Sequence, residues 1–136
     1  MRTIRNPKVR TTRADANNKT MNNETYMERA NVMQYIYNAK HLLRSIGVNM
    51  PRIRVRISSK VAYLGQAQLS ANNIWINADY MKGFDKVMQQ IVFHELVHTL
   101  TGFKHDNDCK LMKPTINPND VMPISELNKL FLGYFK

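Results

Sequence analysis

Cysteine is nearly absent from this chain: Cys109 is the only one in 136 residues. No internal disulfide can form, which points to a reducing compartment rather than an extracellular one. Long hydrophobic runs are also missing. No window approaches the roughly 18 or more consecutive apolar residues of a spanning helix, so a membrane-spanning protein is not expected. The start, Met1-Arg2-Thr3-Ile4-Arg5-Asn6-Pro7-Lys8, has no apolar core behind its basic residues and does not read as a secretory signal. Asn18-Lys19-Thr20 and Asn23-Glu24-Thr25 match glycosylation sequons, which carry little weight without secretion. The expected location is the cytoplasm, either free or incorporated into a larger particle. Acidic residues are scarce, 10 against 20 Lys and Arg, for a net charge of +10. That excess steers a protein toward nucleic acid, anionic surfaces or acidic partners, but it does not define a fold.

The length suits one domain with one core, and the 43 % apolar share is ordinary for a globular chain. Residues 1–21 carry Arg2, Arg5, Lys8, Arg10, Arg13 and Lys19 against a single acid, Asp15. With few large apolar residues and no period, they read as a basic flexible arm, either solvated or docked on a partner or polyanion. Residues 22–136 read as the single folded domain. Asn22 or Asn23 can cap a helix starting near Glu24, and Gly47 is a natural stop. Met27, Ala30, Met33, Ile36, Tyr37, Leu43 and Ile46 fall at helical spacings, and the methionines and tyrosines are expected in the core. Arg52 to Ser58 alternates strictly, with Ile53, Val55 and Ile57 on one side and Arg52, Arg54 and Arg56 on the other. This is the clearest strand, its arginines forming a wet sheet face or a phosphate-holding row. Val61 to Leu69 is a second strand candidate in which Gly65 reads as a bulge, Asn72-Asn73 a turn, and Ile74-Trp75-Ile76-Asn77 a third strand. A helix is expected from about Phe84 to about Thr101, then an irregular stretch with Pro114, Pro118 and Pro123, then a last helix capped by Ser125.

The strongest signal is His94-Glu95-Leu96-Val97-His98. Residues four apart on a helix lie about 40° apart around the axis and one turn apart along it. His94 and His98 can therefore offer ring nitrogens to one ion, and zinc suits imidazole nitrogen. Glu95, on the flank of the pair, can reach a metal-bound water without being a ligand, as metal-assisted hydrolysis requires. At 100° per residue, Phe84, Val87, Met88 and Ile91 share the side of His94, Glu95 and His98, while Phe93, Val97 and Leu100 lie opposite. A helix apolar on both sides is sandwiched inside the fold. Two histidines and a carboxylate there are costly unless paired or metal-bound. A catalytic zinc usually takes three protein ligands and a water. Gly102 lets the chain leave the helix, and His105 could swing back as third ligand; Asp106, Asp108 and Cys109 are competing donors, Cys109 foremost.

His94-Glu95-Leu96-Val97-His98, then Gly102, then His105, resembles the metzincin signature of zinc metallopeptidases: HExxH, a glycine ending the active-site helix, and a third histidine. Within that clan the likeness is to matrixin-like enzymes. Leu111-Met112-Lys113-Pro114 is similar to their Met-turn segment, and Ile124-Ser125-Glu126-Leu127 through Gly133-Tyr134 to their closing helix. The resemblance implies that His94, His98 and His105 bind one zinc ion and that Glu95 is the general base. It implies that Met112 forms a hydrophobic floor under the metal, with Met122 the weaker candidate. The strand within residues 61–69 would be the sheet edge to which an extended polypeptide substrate adds. One spacing departs from the family: Thr99, Leu100 and Thr101 stand where two residues are usual. An added helical residue rotates the downstream chain by about 100°. Either the turn absorbs this or the third ligand is displaced.

The expected fold is α/β (α+β): a small mixed twisted sheet, a long covering helix, an active-site helix and a short C-terminal helical subdomain, as in metzincins. The expected function is zinc-dependent hydrolysis of peptide bonds. The alternative is a catalytically silent peptidase-like structural or binding protein of a larger assembly, using its basic arm and arginine-rich strand.

Overall fold

The computed structural model describes residues 2–5, 23–58, 63–68, 71–77 and 84–136. Four strands and three helices run in the order β1 (Arg2–Arg5), α1 (Asn23–Ser45), β2 (Arg54–Ser58), β3 (Tyr63–Gln68), β4 (Asn73–Asn77), α2 (Met88–Thr101) and α3 (Ile124–Gly133). A short 3-10 turn, Asp85–Val87, leads into α2.

The strands form one mixed sheet in the order β1-β3-β4-β2. β3 and β4 are an antiparallel pair around a turn in which Asn72 takes a left-handed conformation (φ 58°). Asn tolerates that region better than most residues. β2 lies parallel to β4, and the Arg54 N–H donates to the Asn72 carbonyl at 2.8 Å. Side chains alternate as a pleated sheet demands. Val55, Ala67, Ile74 and Ile76 are buried, while Arg54, Arg56 and Gln68 are exposed. The arginine row is thus on the solvent face.

Two expectations about this sheet are corrected. Residues 2–5 of the supposed arm form β1, antiparallel to β3 with Ile4 opposite Gly65; the rest of the arm lies outside the described residues. β3 therefore lies between β1 and β4 and is not the sheet edge. A free strand edge is a row of unmatched N–H and C=O groups, and the Arg2–Arg5 backbone meets that demand. The irregularity read at Gly65 lies beside it on β3: Gly65 pairs in register with Ile76 of β4, but toward β1 Ile4 faces Gly65 while Arg5 faces Tyr63, which leaves Leu64 as the extra residue of a bulge.

Helix α2 packs on β3 and along β1 and β4, and α1 and α3 pack against α2. It is the centre of the core: Met88 and every residue from Gln90 to Thr99 are buried. Among the α1 residues whose side chains are described, the buried ones are Val32, Ile36, Ala39 and Leu43. Met33 and Tyr37, expected in the core, are instead 42 % and 49 % exposed. The two sets are neighbouring stripes at the same helical spacing, and only the partner helix selects between them. After α1, the N–H of Gly47 (φ 80°) bonds Arg44 and that of Val48 bonds Leu43, a Schellman ending that requires glycine. Phe93 of α2 and Phe131 of α3 stack with ring centroids 4.5 Å apart. Ser125 is not the cap of α3. The helix begins at Ile124 behind Pro123, whose carbonyl accepts the Leu127 N–H at 3.0 Å. Proline's fixed φ sets the helix entry without a side-chain cap. Among the described residues no helix is long and apolar enough to cross a membrane.

Candidate metal centre

His94 and His98 lie one turn apart on α2 and are both buried. The His94 Nδ1 is 2.7 Å from the Leu111 carbonyl, and the His98 Nδ1 is 2.6 Å from the Phe103 carbonyl. A carbonyl oxygen only accepts, so each Nδ1 carries the hydrogen and each Nε2 keeps its lone pair. This is how metal-binding histidines are oriented: the second ring nitrogen is held by a backbone or carboxylate acceptor. The two Nε2 atoms are 2.9 Å apart. Lone pairs at that separation repel unless a cation, proton or metal, sits between them.

The proton is the weaker candidate. Burial holds the His94 pKa well below its usual 6.5; the neighbouring His98 and His105 rings push it the same way, and only the Leu111 hydrogen bond opposes. A neutral imidazole is the form that binds metal. The His105 ring completes the group, with centroids 5.0 Å from His94 and 4.8 Å from His98. Donor atoms of all three lie within 4.8 Å of one another. Three imidazoles suit Zn, Cu, Fe or Ni, and hard oxygen-seeking cations much less.

With Thr99, Leu100 and Thr101 between His98 and Gly102, the turn at Gly102 still brings His105 back to the two histidines of α2. Helix α2 runs to Thr101, and Gly102 (φ 78°) ends it in the left-handed region with its N–H on the His98 carbonyl at 2.9 Å. The Thr101 hydroxyl donates to the Val97 carbonyl and accepts the Phe103 N–H at 3.1 Å. Phe103 is thereby held where its carbonyl meets His98. Thr99 anchors the other side of the helix: its hydroxyl donates to the Gln68 carbonyl at 2.8 Å and accepts the Asn73 N–H at 3.0 Å.

The rival donors Cys109, Asp106 and Asp108 are not part of this group. Cys109 is half-buried and hydrogen-bonded to Tyr134, whose pKa is raised by burial first and by Cys109 second. Asp106 and Asp108 are exposed, and the Asp106 carboxylate accepts the Asp108 N–H at 2.9 Å. Met112 is fully buried within the loop beyond His105. That loop closes on itself, the Asp106 N–H meeting the Met112 carbonyl at 2.9 Å, and it presents the Leu111 carbonyl to His94. Met122 is half-buried, and its N–H donates to the Gln90 side chain at 3.0 Å.

Glu95 is fully buried against β3. A Cβ on Gly65 would stand 3.0 Å from the Glu95 Oε2 and 3.1 Å from its Cγ. Glycine at 65 is what admits the carboxylate so close to the strand. Gly65, Thr99, Thr101 and the carbonyls of Leu111 and Phe103 thus support the site beyond the residues that the motif names. Of these, only Gly65 had a sequence signal, a glycine inside a strand pattern, which reports close backbone approach as often as a bulge.

The chain matches no protein-family model, and no curated protein or solved structure is significantly similar to it.

Proposed function

We propose that this protein is a zinc-dependent endopeptidase of the metzincin type, with His94, His98 and His105 as metal ligands and Glu95 as general base. One observation carries the reading: three imidazoles converge, and the two on α2 have their Nδ1 groups spoken for by backbone carbonyls. Zinc, when bound there, would polarise the scissile carbonyl and lower the pKa of its water. The chain's own residues do the rest. The carbonyls of Leu111 and Phe103 fix ring orientation and tautomer. Glu95, next in sequence to a ligand, accepts the proton of the attacking water and returns it to the leaving amine. Met112, buried in the loop that orients His94, supplies an apolar floor.

The test is metal content and peptide digestion by the purified full chain, with and without chelator. Replacing Glu95 by Gln should leave the metal in place and lower turnover by roughly a hundred- to ten-thousandfold, the usual worth of a general base. Undiminished cleavage by Glu95→Gln removes the role, and purified protein free of transition metal removes the site.

One observation favours the rival reading, a catalytically silent peptidase-like binding protein of a larger assembly. Strand β1 already covers the flank of β3 that an extended substrate would pair with. Metal retained without any chelator-sensitive cleavage is the outcome that selects it.

A further inference from the structure

We propose that the protein binds single-stranded nucleic acid in the groove between α1 and β2, which shares no residue with the imidazole cluster. The groove encloses about 830 Å³ between α1, the segment entering β2 and the turn before β4. Arg29, Lys40, Arg52 and Arg54 line it, and no acidic residue is among its described walls. Uncompensated cations in a concave, partly apolar site focus positive potential and attract polyanions. The net charge of +10 acts in the same direction at long range.

The apolar part of the wall specifies the polyanion further. Tyr37 and Met33 project from α1 into this groove, half-exposed, because the helix commits its other stripe to the core. The Tyr37 ring stands edge-on to His41 at a centroid distance of 4.5 Å, which limits its rotation. An exposed aromatic face flanked by cations is the recurring platform for unpaired bases, with guanidinium forks on the phosphates. Paired bases, already stacked in a duplex, cannot use such a ring.

An acidic peptide fits less well. Arg54 directs its N–H to Asn72 at the start of β4, so the backbone groups of the next residue, Val55, face outward along the edge of β2 that pairs with no other described strand. The Val55 carbonyl is met by the Arg29 guanidinium at 3.4 Å. A peptide adding as a strand would need that carbonyl.

The experiment is fluorescence anisotropy of the full chain with a short labelled oligo(dT), repeated across salt concentrations. Binding should weaken with salt, and the log–log slope should fall by about 0.7 for each phosphate contact removed. The exposed-site double variant R52E/R54E should bind about tenfold more weakly or worse, by that same loss of contacts. Tyr37→Ala should weaken binding by about five- to hundredfold, the usual worth of one stacked base, and Tyr37→Phe should retain it. Metal content should be unchanged in all three, which separates this site from the imidazole cluster. Equal affinity for polyglutamate or for a duplex of the same length overturns the proposal. So does unaltered oligo(dT) binding by R52E/R54E and Tyr37→Ala.

Discussion

At the scale of single residues, the site depends on close approach. Gly65 is the clearest case, since a methyl group there meets the Glu95 carboxylate and the Ile91 side chain at 3.0–3.2 Å. Gly65→Ala should cost about 1–3 kcal/mol, as overpacking of a filled interior does. The change would be read from the urea midpoint, and an unaltered midpoint would show that Glu95 is not held against β3. His94 sets a pH dependence. Its folded-state pKa is held below 6.5, so in the metal-free protein the unfolded chain binds the extra proton first as the pH falls. Stability from this group is therefore complete above about pH 6.5 and declines below it. Urea midpoints of apo-protein should fall between about pH 8 and about pH 5, and His94→Gln should flatten the trend. A midpoint that rises toward acid pH contradicts the buried neutral imidazole.

At the scale of elements, α2 is held from both sides, by the sheet and by α1 and α3. Phe131 joins α3 to it through Phe93, and both rings are fully buried. Phe131→Ala should cost about 3–5 kcal/mol in denaturant unfolding, through a cavity that neighbouring helices cannot fill. A loss under a kilocalorie would mean that α3 is a peripheral flap. Element positions were largely legible in the residues, because hydrophobic period and glycine stops act locally. The helix ending at Gly47, the strand Arg54–Ser58 and the helix ending at Thr101 are all products of those local signals. What misled was also physical. Ser125 is a good cap by type, yet Pro123 sets the entry to α3. Met33 and Tyr37 match the period of α1, yet a second stripe was there to be buried.

At the scale of the whole molecule, the three imidazoles link α2 to the loop after Gly102, and that loop returns through Leu111 to His94. A metal bound only by the folded protein should raise its stability, by about 4 kcal/mol when free metal exceeds Kd a thousandfold. Thermal unfolding with zinc and with chelator measures this, and coincident melting curves would show that the rings hold no zinc. The residues alone determined that His94 and His98 share a helix face, because 100° per residue leaves no other outcome for positions four apart. They also determined where the helix stops, since Gly102 takes a left-handed conformation that other residues avoid. Only the tertiary structure decided that His105 rather than Cys109 joins them, that Gly65 makes room for Glu95, and that Arg2–Arg5 lies along β3. Those choices rest on backbone carbonyls, close approach and pairing between distant segments. Every residue carries the same carbonyl, so nothing in its side chain marks which one a distant histidine will find.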